Sequence, residues 1–299
     1  QQLLRALTQM TLTYPGFVGP KAKALLARPN KEIRAVALDA ERVGSLAYNV
    51  QSLARAAFAV RDLWSNDSWR VIESIDKRWS RLYRQKGRVS VTRIGSQLNQ
   101  LITHLMAFSG LNLESMTQGY NWVMLDTGRR LERAQLTISL VRSLLTIDQG
   151  ARIEGLLLEN LLLVTENIIT YRRRYRSYLH IHTVLDQLLL DATNPRALLY
   201  QLNQLQVHLE KLPRELMGFR LSDEERLVLD ASMRLRLSDL GQLVQGDGES
   251  GSRQALDEVL AEMSRLLAET SQTITHFYFN HAQVPQPLVS AVTSEMNEA

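Results

Sequence analysis

At 299 residues, 45% of them hydrophobic and 22% charged, the chain is large and apolar enough to bury a sizeable core in one or two domains. Its 35 basic and 31 acidic residues leave a net charge of only +4, which permits an anionic ligand or RNA without demanding either. The lack of cysteine excludes disulfides, thiolate zinc sites and cysteine nucleophiles and fits a reducing, cytoplasmic setting, and no apolar run reaches the ~18 residues of a membrane span.

Almost every segment shows helical spacing and none shows sustained alternation with hairpin turns. The expected fold class is therefore all-α: one helical bundle of about eight to ten helices over residues 1–284, with a disordered tail at 285–299. A first helix over 1–12 stops at Thr13-Tyr14-Pro15-Gly16. Short helices follow at about 20–28 and 31–39. Ser45 caps a longer one to about 63, with a stripe of Leu46, Val50, Leu53, Ala57, Val60 and Trp64. Ser65 caps the next, which runs to about 84, ends at Lys86-Gly87, and should bury Trp69, Ile72 and Trp79.

A helix at 90–108 gives way to a loop from Gly110 to Gln118. Helices are then expected at 119–146 and 152–178. Asn194 and Pro195 read as N-cap and first helical residue of another. Ser222-Asp223-Glu224-Glu225 is a capping box opening a helix to about 244, and a last helix spans about 253–278.

The helix at 119–146 carries the most distinctive chemistry. Wound at ~100° per residue, it places Asp126, Arg130, Arg133 and Thr137 in one row, suited to a solvated edge. Glu132 and Arg129 fall instead on the arc of Trp122, Leu125, Gly128, Leu136 and Leu140, which is expected to face other helices. A carboxylate there must be paired, since isolated burial costs several kcal/mol or more, and Arg129 is the nearest partner. The pair reads either as a catalytic or substrate-gripping site or as an ion pair that fixes helix register.

Gly119-x-x-Trp122-x-x-Leu125-Asp126-x-Gly128-Arg129-Arg130-Leu131-Glu132-Arg133-Ala134 resembles the second Glu-Arg signature of the alpha-E domain, a bacterial all-helical domain. Further likeness lies in the segment around Arg61, Asp62, Ser65, Asp67 and Trp69, in Tyr171-Arg172-Arg173-Arg174-Tyr175-Arg176, in Asn194-Pro195-Arg196, and near His276 to His281. The family's first Glu-Arg signature is not found, and the chain opens on Gln1, so it is expected to begin just after that signature and to be part of something longer. The resemblance implies a circularly permuted ATP-grasp protein or domain as partner, in an amide- or peptide-ligase system with a peptide or aminoacyl substrate. It implies ATP and Mg2+ on that partner and no cofactor on this chain.

Arginine forks match carboxylate and phosphate geometry. Arg129, Arg130 and Arg133 on one helix and Arg172 and Arg173 on another, with Arg61 and Asp126, are therefore candidates for gripping an anionic group, and Glu132 is the candidate catalytic residue. The bland alternative for each is a solvated face or a structural pair. The histidines lack Glu-x-x-His spacing, and no phosphate loop or dinucleotide fingerprint occurs, so no metal site is expected and ATP would not be held by this chain alone. Two non-catalytic readings stand beside the ligase reading: an interaction scaffold, and an RNA-binding domain in which Tyr171, Tyr175 and Tyr178 would stack among arginines.

Overall fold

The computed structural model describes residues 1–85, 89–176, 178–213, 220–248 and 250–279. The expected stop at Lys86-Gly87 and the tail at 285–299 lie outside them. Fourteen helices and no strand occur among the described residues, more than the expected eight to ten; two long predicted helices are each broken in two, and a further short one appears. None of these helices is long and apolar enough to cross a membrane.

The chain opens with α1 (Gln2–Thr11), α2 (Ala22–Ala27) and α3 (Asn30–Leu38). Local capping then sets the starts of α4 (Leu46–Ala59) and α5 (Asn66–Arg84). The Ser45 hydroxyl accepts from the Tyr48 N–H and the Ser65 hydroxyl from the Ser68 N–H, each at 3.1 Å. Trp79 is fully buried as expected, whereas Trp69 is half-buried and lies under the Arg61 guanidinium.

The next helix, α6 (Val91–Ser115), continues into the predicted loop, leaving only its last residues before α7 non-helical. A lone glycine costs a helix only ~1 kcal/mol. The turns after Gly110 are anchored to α5 by buried Asn112, whose side-chain oxygen accepts from the Ser68 hydroxyl at 3.2 Å. Helices α3 to α6 enclose a small core around Ile75, Trp79, Leu82 and Ile94.

The larger core surrounds α7 (Tyr120–Leu145). The predicted helix at 152–178 divides into α8 (Ala151–Val164) and α9 (Ile168–Tyr175), with Glu166 in the left-handed region at φ 55. The break is organised by buried Asn167. Its amide donates to the Thr165 carbonyl at 2.9 Å, and its side-chain oxygen accepts from Gln187 at 3.0 Å and Asn194 at 2.8 Å. Asn194 is thus a member of this network rather than a helix N-cap.

After α10 (Ile181–Leu185) and its π-helical continuation, α11 begins only at Leu198 (Leu198–Leu209). The Ser222 capping box forms as expected, with the Ser222 N–H donating to Glu225 Oε2 at 2.7 Å. It opens α12 (Asp223–Leu237), which stops short of 244. Asp239 caps a separate turn, α13 (Leu240–Leu243), before α14 (Gln254–Phe279) closes the fold. Helices α1, α11 and α14 all pack against α7, so the motif-bearing helix is the axis of the assembly.

Candidate functional site

Packing on several sides inverts the expected facing of α7. The row taken for a solvated edge is turned inward: Asp126 is 2% exposed and Thr137 6%, and Arg130 is half-buried against α11. The arc of Trp122, Leu125, Gly128, Glu132 and Leu136 is left open to a groove; of the residues assigned to it, only Leu140 is buried. Glu132 is consequently exposed. It makes no ion pair among the described residues, and Arg129 bonds Asp126 instead, which corrects the expected Glu132–Arg129 pair. The reason is solvation. A carboxylate on the open arc keeps its water, whereas Asp126, held inside, must be compensated.

Compensation of Asp126 is extensive. Arg129 donates to Oδ1, and Arg130 Nε donates to Oδ2 at 2.9 Å. His208, on α11, sets its Nε2 3.4 Å from Oδ2. Its ring meets Trp122 edge-on at 5.6 Å between centroids. Arg130 also reaches Gln201 Oε1 at 3.3 Å and lies over the Tyr200 ring. Burial, opposed by Asp126 but reinforced by Arg130, Lys211 and Arg129, pushes the His208 imidazole below its ordinary value, so it is neutral at pH 7.

Arg133 is the exception. Its half-buried guanidinium makes no ion pair or side-chain hydrogen bond among the described residues. Burial, followed by the charges of Arg196, Arg129 and Arg130, lowers its pKa from the usual arginine value, with Asp126 pulling the other way. Arg196 itself pairs with Glu166 at 2.9 Å.

Two grooves meet at this cation. One, of about 570 Å3, runs between α6 and α7 and is walled by Leu105, Phe108, Leu113, Trp122 and Leu125, with Asp126 at its floor. The other, of about 370 Å3, lies toward α8 and includes Leu136, Val164 and Arg196. Arg129, Glu132 and Arg133 line both.

Of the residues singled out from sequence, Asp126, Arg129, Arg130, Glu132 and Arg133 are therefore brought together. Arg172 and Arg173 are not. They project from α9 into solvent, Arg172 pairing loosely with Glu159 at 3.4 Å, and neither lines either of these two grooves. Arg61 stacks on Trp69, 4.6 Å from the ring centroid, and is likewise outside both grooves. Sequence reasoning missed His208 and Arg196. The neighbouring Asn194-Pro195 marks Arg196 only as part of a turn, and nothing in the pattern around His208 points to Asp126.

Comparison with known proteins gives a consistent assignment. A 30% identity over 269 residues relates the chain to the uncharacterized proteins Rv2567 of Mycobacterium tuberculosis (strain H37Rv) and Mb2597 of Mycobacterium bovis. The match covers 89% of this chain, but the chain spans only about 30% of the length of these relatives. No solved structure matches. Residues 1–279 match the model of Alpha-E, described as a predicted alpha-helical domain with a conserved ER motif, and the chain belongs to that family.

Proposed function

We propose that the chain is the helical component of a carboxylate–amine ligase system, holding an anionic group for a circularly permuted ATP-grasp partner. The single observation that supports this reading is Arg133: a half-buried cation without a counter-ion among the described residues, at the meeting point of two grooves. A cation so placed gains its missing partner when an anion binds, and a guanidinium offers that anion a planar fork. Arg129, fixed by Asp126, stands beside it with part of its surface free.

In this scheme the partner supplies ATP and Mg2+ and activates a carboxylate. The alpha-E chain holds the carboxylate or its acyl phosphate at Arg133, and Glu132, exposed and without an ion pair among the described residues, is the base offered to the attacking amine. Reconstitution tests this: the chain is mixed with an ATP-grasp protein encoded in the same genome, and ATP-dependent amide formation is measured. Activity should require both proteins and fall at least tenfold with Arg133→Gln. Equal activity with the wild type and the variant would reject the role.

A scaffold reading has its own support in the apolar face that α6 exposes through Ile102, Leu105, Met106 and Leu113. Under it, the α6 face binds the ligase and Arg133 does no chemistry. Substituting Ile102 and Met106 would then abolish complex formation, while Arg133→Gln would leave activity intact.

A further inference from the structure

We infer that the ligand held at Arg133 is a monocarboxylate with an extended apolar body, its head on the guanidinium and its body along the α6–α7 groove. This rests on the proposed anion-holding role and specifies the class of anion.

Charge decides between a carboxylate and a nucleotide or other polyphosphate. Four guanidinium groups converge here, those of Arg129, Arg130, Arg133 and Arg196. Asp126, Glu132 and Glu166 stand against them. Neutral His208 adds nothing. Among these groups one positive charge is left over, which a single carboxylate balances; Lys211, whose charge bears on His208, lines neither groove. A triphosphate would bring several uncompensated negative charges beside Glu132.

The walls decide the rest of the molecule. Leu53, Leu105, Phe108, Leu113, Trp122 and Leu125 give the larger groove an apolar lining, and its charged groups, Asp126, Arg129, Glu132 and Arg133, all come from α7. A cavity of about 570 Å3 accommodates a body much larger than acetate. Apolar side chains kept open on a helix otherwise packed against α1, α8, α11 and α14 gain from a covering, and an aliphatic or aromatic chain supplies it without stranding a polar group. The anchor at Arg133 fixes which end of that chain is anionic.

The test is calorimetric titration of the full chain with decanoate, set against decanol, acetate, inorganic phosphate and ATP. One decanoate should bind per chain, at least tenfold more tightly than any of the other four. Arg133→Gln should weaken decanoate at least tenfold, and Leu125→Gln, on the groove wall, should also weaken it. No decanoate binding, equal binding of decanol, acetate, phosphate or ATP, or unchanged binding by Arg133→Gln would overturn the inference. If Arg133→Gln does not fold, the head-group and chain-length series on the wild type decides alone. Arg133-dependent ligase activity without decanoate binding would sink the ligand class and spare the ligase role; the reverse pattern would sink the ligase role alone.

Discussion

The Asp126 carboxylate and the His208 imidazole meet inside the fold, Oδ2 to Nε2 at 3.4 Å, each side chain 3% exposed. His208 Nδ1 is buried without a hydrogen-bond partner among the described residues, and the ring is held neutral by its burial despite the adjacent carboxylate. The folded-state pKa lies below the unfolded one, so folding excludes a proton that the unfolded chain accepts. The stability due to neutral His208 is present above the ordinary histidine value and is lost as the pH falls below about 6.5. The slope from one such group is at most ~1.4 kcal/mol per pH unit. Thermal melts from pH 7.5 to 5 should show a steeper decline for the wild type than for His208→Gln. Parallel curves would show that His208 does not titrate against the fold.

Asp126 is predicted to be the most sensitive position on α7. Asp126→Asn preserves the shape but leaves Arg129, half-buried Arg130 and the neighbouring Arg133 with no carboxylate among them inside the core. Breaking a buried pair in this way costs ~3–5 kcal/mol. Chemical denaturation should register that loss, and a change under 1 kcal/mol would mean that solvent already screens the cluster.

A second vulnerable point is Asn167, whose side chain joins Thr165, Gln187 and Asn194 where α8 gives way to α9. Asn167→Ala strands the Gln187 and Asn194 amides from one acceptor and opens the turn. Each unsatisfied buried polar group costs ~1–3 kcal/mol, so a total loss of ~2–4 kcal/mol is expected in the same denaturation assay. Asn160→Ala is the control. That side chain donates only to the Leu156 carbonyl one turn back, in a hydrogen bond open to solvent, so its loss should be under ~0.5 kcal/mol.

These positions also mark how far the sequence could be read. Caps were legible at Ser45, Ser65 and Ser222 because a cap depends on residues within one turn. The importance of α7 was legible too, since Asp126 to Arg133 concentrates charge on a helix that also carries Trp122 and Leu125. The direction it faces was not. Both arcs of α7 mix charged and apolar side chains, and the choice between them depends on α11 and α14, which join α7 through contacts far along the chain: Arg130 to Gln201, His208 to Asp126, and Gln135 to Ser264. An apolar arc is ordinarily assigned to the core. Here the fold leaves that arc to a groove and buries an acid instead. The break at Asn167 escaped for a related reason: its amide network closes through residues 20 and 27 positions away.

Glu132 now separates a site from a brace more sharply than its sequence position alone could. Exposed, and making no ion pair among the described residues, it contributes little to packing, and Glu132→Ala should change unfolding free energy by no more than ~0.5 kcal/mol. A role in amide formation predicts a large loss of reconstituted activity in that stable variant. A variant as active as the wild type would remove Glu132 from the mechanism while leaving Arg133 in place.

Arg133 should show the opposite sign in stability. In the ligand-free protein its charge is half-desolvated among Arg129, Arg130 and Arg196, and its depressed pKa reflects a fold that disfavours the cation it holds. Arg133→Gln relieves that repulsion without breaking a hydrogen bond or ion pair among the described residues. It should stabilise the chain by ~0.5 kcal/mol, or roughly 1–2 °C in melting temperature for a chain of this size. Such a gain, joined to weaker binding of decanoate, is what a binding residue kept at the expense of stability produces. The two changes are separately measurable by melting and by titration. If Arg133→Gln instead melted several degrees lower, the arginine would have a structural partner, and its standing as a free anion receptor would be lost.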